Sequence, residues 1–231
     1  MDYPRHISKK KRSISALKGV LSGFDKMGIS INPYYIFLEG LSIGAEMKYQ
    51  NGLKGYEFVS LGPQDMRAIS SSEISDRMES EAYLLNRLKQ GPRCFGLKQQ
   101  GKVAAFTWYD LRQCNFYGQI FPLERTETCL LDAYTLKAFR GKGLAPYVRY
   151  QVYKELSRLG RERLLSTSDF FNVPAVRFKR KLDAKLLELR LSVRFRGLRI
   201  DARVRRYGKD ASRFQALHLN FWLSNHKILQ F

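Results

Sequence analysis

The run Arg140-Gly141-Lys142-Gly143-Leu144-Ala145 has the residue types and spacing best suited to chemistry. A basic, glycine-rich turn between an apolar strand and an amphipathic helix collects backbone N–H groups at the positive end of a helix dipole, which makes a cradle for an anion. Gly141 and Gly143 carry no Cβ to hold a phosphate off the main chain, and Arg140 and Lys142 add positive charge at the mouth. A diphosphate is the expected guest. The spacing fits neither the dinucleotide fingerprint nor the longer glycine loop that ends in Lys-Ser/Thr. Taken alone, a turn of this kind is more often an ordinary solvated turn than a binding site.

Groups able to move a proton are few along the strand before this turn. Asp132, in the middle of an otherwise apolar stretch, is the first candidate for a general base, and Glu127, at its start, is the second. The competing reading for either is a carboxylate on a solvated face or paired with a basic neighbour. His6, His218 and His226 have no ligand spacing, so neither a zinc site nor Ser/His/Asp machinery is expected. Cys94, Cys114 and Cys129 are odd in number and lack Cys-x-x-Cys spacing, and they read as reduced core residues of a reducing compartment.

Residues 140–145 resemble the Gln/Arg-x-x-Gly-x-Gly/Ala signature of the GNAT superfamily of acetyl-CoA-dependent N-acyltransferases, placed as that family places it, after a strand and opening a helix. Asn172, Ala175 and Phe178 resemble the Asn-x-x-Ala-x-x-apolar-Tyr start of the family's next helix. The resemblance spans about residues 56–196. It implies an α/β fold with a mixed, mostly antiparallel central sheet flanked by helices, acetyl-CoA as acyl donor, no metal, and a primary amine as acceptor. On the matching positions, Arg140, Gly141, Lys142, Gly143, Leu144 and Ala145 hold the diphosphate. Tyr134, Thr135 and Leu136, on a splayed central strand, hold the pantetheine arm, and Asn172 and Phe178 complete the cofactor side. The chain departs from the family at Lys179, where many members carry the tyrosine that protonates the departing thiolate. Lys179 is therefore the candidate acid, or else a partner for a cofactor phosphate. Asp183-Ala184 likewise stands where a glycine-phenylalanine pair is frequent.

The elements that must position these residues follow from periodicity and turn chemistry. Residues 128–136 read as the central strand, and residues 143–159 as a helix burying Leu144, Val148, Val152 and Leu156. Residues 163–166 form the next strand and 172–182 the next helix. Upstream, a strand at 56–61 precedes one or two helices to 88, and residues 94–97 and 103–111 pair across the turn at 99–102. Residues 113–127 read as irregular and as part of the acceptor pocket. Downstream, residues 186–196 and 198–206 alternate at period two as a basic hairpin.

Three segments are expected: a basic amphipathic extension over 1–33, an acyltransferase-like domain over 34–210, and an apolar segment over 211–231 docking on it. Lys9-Lys10-Lys11-Arg12 precedes Ile14, Leu17, Leu21 and Phe24, whose spacing gives a helix with one apolar stripe. Packing of that stripe on the domain is the favoured reading, and contact of residues 9–28 with an anionic membrane surface is the alternative. Asn32-Pro33 marks a break, with a strand from Tyr34.

With 231 residues, 44% hydrophobic and 13% aromatic, the chain is long and apolar enough for one well-buried domain, which excludes a disordered class. A formal net charge of +20 gives a surface field that attracts nucleic acid, acidic lipid or phosphorylated small molecules, the alternative reading being a generically basic surface. No apolar run approaches membrane-span length and no signal-peptide core follows the basic start, so a cytoplasmic protein, peripheral to the membrane at most, is expected. The order of basic helix, strand and acyltransferase core also resembles acyltransferases of bacterial surface polysaccharide synthesis, which favours an amino-sugar nucleotide as acceptor. The competing class is a non-catalytic basic module that binds nucleic acid through Arg194, Arg196, Arg199, Arg203, Arg205 and Arg206. A longer-chain acyltransferase at a membrane surface is a third reading.

Overall fold

The computed structural model describes residues 11–41, 53–71, 79–207 and 217–221. Helix α1 (Lys11–Lys26) leads into strand β1 (Ile29–Glu39), and β2 (Glu57–Ser60) is followed by α2 (Pro63–Ser71) and α3 (Glu81–Lys89). Next come β3 (Arg93–Gln99), β4 (Lys102–Asp110), the short strands β5 (Gln113–Phe116) and β6 (Gln119–Pro122), and β7 (Glu127–Thr135). A 3-10 turn (Lys137–Phe139) then precedes α4 (Leu144–Arg158), β8 (Arg163–Asp169) and α5 (Val173–Arg180). Strands β9 (Lys185–Phe195), β10 (Leu198–Arg206) and β11 (Leu217–Phe221) complete the described chain. The fold is mixed α/β and mostly antiparallel, as expected: β10 with β11, β9 with β10, β2 with β3, β3 with β4 and β4 with β7 run antiparallel, and β7 runs parallel to β8.

The chain forms two compact units, each drawn from separate stretches of sequence. One comprises Leu38–Ser166 and Phe178–Ala184. Its strand order is β8-β7-β4-β3-β2. Residues Val103 to Asp110 of β4 are all buried, because both faces of this strand are covered. Phe106 and Trp108 join Leu61, Met66, Ile69, Leu84 and Cys94 under α2 and α3. From the other face, Ala105 packs with Leu144, Tyr147 and Val148 of α4, and Tyr109 with Val152, Tyr153 and Leu156. A helix with apolar residues every three to four positions and a strand with side chains on alternate faces thus satisfy each other's periodicity. Gln100 and Gly101 both take positive φ (49° and 76°) to turn β3 into β4, the geometry that matches a two-residue hairpin to the strand twist.

The other unit comprises Met1–Phe37, Thr167–Arg177 and Lys185–Phe231. Its strands follow the order β11-β10-β9-β1. A buried polar network holds it together: Arg190 Nε donates to Asp201 Oδ1 at 2.6 Å and Nη1 to Glu188 Oε2 at 3.1 Å, while Tyr34 OH donates to Asp201 Oδ2 at 2.6 Å. Two carboxylates facing a fully buried guanidinium give each charge a partner, which is what makes such burial tolerable.

Four expectations need correction or fall outside the structure. Strand β1 runs from Ile29 through Asn32-Pro33 without a break, since proline's fixed φ is compatible with extended backbone and only its missing N–H is lost. The stretch read as irregular contains the β5–β6 hairpin, turned at Tyr117-Gly118, where Asn115 Oδ1 accepts from Gly118 N at 2.7 Å. Cys114 and Cys129 are not reduced: they form a disulfide with Cα atoms 5.2 Å apart, because the hairpin folds Cys114 back against β7; Cys94 is free and buried. Lys9, Lys10 and most of residues 211–231 lie outside the described residues, apart from β11, which pairs with β10.

The disulfide spans 15 residues and joins two buried cysteines. By chain entropy a loop of that length contributes about 3 kcal/mol. Urea unfolding with and without reductant is expected to differ by that amount, and the Cys114→Ala/Cys129→Ala double variant should behave like the reduced protein in both conditions.

Candidate functional site

The glycine turn lies immediately before α4 and has open space beside it. Gly141 and Gly143 have φ of +83° and +72°, the left-handed region that disfavours a side chain, and a Cβ at either would meet nothing within 4 Å. The space beside them is open. Gly143 caps α4 without a side-chain hydrogen bond. Among the described residues nothing accepts from the N–H groups of Lys142, Gly143, Leu144 or Ala145, and Lys142 stands exposed beside them. Several unsatisfied donors at a helix N-terminus form the arrangement that binds phosphate. Arg140 is turned back instead: its Nη2 donates to Tyr134 OH at 2.7 Å and its Nε to Thr135 O at 3.3 Å.

Strand β7 approaches this turn with one edge unpaired. Its parallel pairing with β8 runs from Glu127/Arg163 to Leu130/Ser166 and stops there, while its antiparallel pairing with β4 continues to Thr135/Ala105. Leu136 N donates to Ala104 O at 2.9 Å. Hydrogen-bonded pairs alternate along antiparallel strands, so Tyr134 also bonds toward β4, and the main chains of Ala133 and Thr135 face the edge that β8 no longer covers. Of Tyr134, Thr135 and Leu136, Thr135 therefore turns its backbone there, its carbonyl already accepting from Arg140 Nε, and Ala133 joins it.

Beside that edge lies a buried ionic cluster. Glu39, at the end of β1, accepts at Oε1 from Lys179 Nζ (2.6 Å) and from the Ser166 hydroxyl, and at Oε2 from Tyr153 OH. Arg149 Nε lies 3.7 Å from Glu39 Oε2, and its Nη2 donates to Leu131 O at 2.7 Å, just past the last β7–β8 pair. These five side chains are all buried. Burial alone would raise the Glu39 pKa, but the Lys179 and Arg149 charges and the donors Lys179 and Ser166 pull it from 4.5 to about 2. Burial pushes Lys179 down, and the Arg149 charge reinforces this against the pull of Glu39. One carboxylate thus faces two cations, and Arg149 keeps Nε and Nη1 without a hydrogen-bond acceptor.

The remaining candidates have partners of their own. Asp132, on β7, is held by Arg87 Nη1 at 2.9 Å, and Arg87 itself lies over the Trp108 ring. Glu127, at the start of the strand, is buried, and its carboxylate accepts from Glu124 N at 3.1 Å and pairs with Arg163 at 3.4 Å. Asn172 caps its own helix, its Oδ1 accepting from Ala175 N at 3.1 Å. Phe178 packs in the core beside the Arg149 guanidinium. Glu39, Arg149, Tyr153 and Ser166 were not singled out from the sequence. The available signal was an arginine within the buried face of α4 and a glutamate closing an apolar strand.

Because Glu39 titrates near 4.5 when exposed and near 2 when folded, its ionised form stabilises the fold above pH about 4.5, and that contribution is lost as pH falls through this window. Acid titration of the folded fraction is expected to show the loss, and Glu39→Gln should flatten that part of the curve while lowering stability at neutral pH.

No protein-family model and no curated protein sequence matches the chain. Solved structures do. A tandem GNAT protein from the clavulanic acid biosynthesis pathway superimposes with TM-score 0.52 at 14% identity over 82% of this chain and 60% of that one. A GCN5-related N-acetyltransferase-like protein from Streptococcus suis superimposes with TM-score 0.52 at 12% identity, over 78% of this chain and 68% of that one. The chain spans 66%, 57% and 60% of the first three structures it matches. The turn at Gly141 and Gly143, the half-paired strand before it and these superpositions agree: the chain has the fold of the GNAT acetyltransferases.

Proposed function

We propose that the protein is an acyl-CoA-dependent N-acyltransferase that moves an acetyl group from acetyl-CoA to a primary amine. The observation that carries this reading is the run of unaccepted N–H groups from Lys142 to Ala145 at the head of α4, immediately after a strand that has lost its parallel partner. These donors and the open space at Gly141 and Gly143 fit a diphosphate. The backbone of Ala133 and the N–H of Thr135 are the main-chain groups we assign to an extended pantetheine arm, the Thr135 carbonyl already accepting from Arg140 Nε.

Bound there, acetyl-CoA supplies an activated thioester carbonyl. The chain's own contribution is first positional: a rigid strand edge and a helix terminus hold the two reactants in one geometry, which removes much of the entropic barrier. A backbone N–H at this edge is the group placed to polarise the carbonyl oxygen. The amine must lose a proton to attack, and we assign that proton to Asp132, whose carboxylate is oriented by Arg87. Glu127 already clasps the loop before β7 and Arg163, so it serves the strand's placement. The departing thiolate, with a pKa of about 8.5 as a free thiol, needs little help. Lys179 suits that help, because burial makes its ammonium a stronger acid than a surface lysine, and Glu39 and Ser166 hold it in place.

An anionic acceptor, such as an amino-sugar nucleotide, suits a chain of net charge +20. Mass spectrometry of a panel of amines incubated with labelled acetyl-CoA tests the reaction directly. Acetyl-CoA at about 100 times its Kd should stabilise the protein by about 2.7 kcal/mol in thermal unfolding, and Lys142→Glu, an exposed change, should weaken acetyl-CoA binding at least tenfold with unchanged melting of the free protein. Equal binding by variant and parent contradicts the cradle. Asp132→Asn is expected to lower kcat by about 100-fold or more with little change in acetyl-CoA affinity. A fall in affinity without a fall in kcat removes Asp132 from the proton path.

A further inference from the structure

We propose that the exposed face of α1 is a docking surface for an anionic lipid bilayer. The inference is independent of the acyl-transfer reading. Leu17, Val20 and Phe24 recur at steps of three and four and so share one face of α1, with Met27 in the turn just past its end, and the four are 43%, 59%, 37% and 69% exposed. Had the stripe packed on the domain, as its periodicity favours, these side chains would be buried. Leu21, a member of the stripe read from the sequence with Leu17 and Phe24, is only partly buried.

The charge around the stripe identifies the occupant. Lys18 and Lys26 are exposed on the same helix, Lys11 and Arg12 begin it, and Asp25 is its single acid. In the same structural unit the β9–β10 hairpin exposes Arg194, Arg196, Arg205 and Arg206 interleaved with Phe195 and Val204. Apolar side chains flanked by cations match the boundary between acyl chains and anionic headgroups, where both kinds of group are satisfied at once. A nucleic-acid backbone would take the charges and leave the stripe in water, and a second copy of a chain carrying +20 would bring like charges together. A helix of 16 residues is about 24 Å long, a length suited to lying in the interface plane. No helix among the described residues is long and apolar enough to cross a membrane, so the contact proposed is peripheral.

The test is co-sedimentation of the full chain with phosphatidylcholine vesicles, with or without about one third phosphatidylglycerol. The parent is expected to bind the anionic vesicles, to bind the neutral ones far less, and to lose affinity as salt is raised. Val20→Glu with Met27→Glu, both at exposed positions, should lower partitioning onto the anionic vesicles at least about tenfold while circular dichroism stays unchanged. Any of four results overturns the proposal: no vesicle binding, equal binding to the two compositions, equal binding by variant and parent, or a parent dimer or duplex-DNA complex that the double substitution abolishes in place of vesicle binding.

Discussion

A carboxylate without solvent must be surrounded by donors or lose its charge, and Glu39 is surrounded. Its two oxygens gather Lys179 from α5, Ser166 from β8, and Tyr153 and Arg149 from α4, so one side chain ties together the elements around the edge of β7. Removing one member of such a buried pair typically costs about 3–5 kcal/mol, because the survivor keeps its desolvation penalty and loses its compensation. The placement of the cluster matters as much as its strength. Arg149 reaches from it to the carbonyl of Leu131, the first residue of β7 beyond its last pair with β8. The strand edge is left unpaired, yet its first exposed acceptor is satisfied by a side chain.

The turn at the head of α4 shows the opposite economy. A serine or aspartate at position 143 would normally cap the helix and is worth about 1 kcal/mol over an uncapped end. The chain has glycine there instead, in a left-handed conformation, and among the described residues consecutive donors have no acceptor. Where a local stability rule is broken and nothing nearby compensates, function is the usual reason. Arg140 shows that charge at such a turn is not all directed at the guest, since its guanidinium braces Tyr134 and Thr135.

Much of this was legible in advance. The four-residue spacing of Leu144, Val148, Val152 and Leu156 placed α4 and its buried face, and Gly141 and Gly143 placed the left-handed turn before it, because periodicity and left-handed geometry are local properties. Where the reading failed, either a local tolerance or contacts distant in sequence had decided the outcome. The expected break at Pro33 fell inside β1, since one missing donor does not stop a strand. Cys114 and Cys129 carry no spacing signal; only the fold of the β5–β6 hairpin brings them together. The apolar stripe of α1 was legible as a stripe, but its exposure was not.

The amino-acid sequence by itself determined the elements, the net charge of +20 and the glycine turn, for each is set by composition or by neighbours within one helical turn or one hairpin. Only the tertiary structure decided that Lys179 is locked to Glu39, that β7 pairs with β8 no further than Leu130, and that the main chains of Ala133 and Thr135 rather than Leu136 face the edge β8 leaves. Those outcomes depend on strand register and on burial, and both arise from contacts between residues that are far apart along the chain.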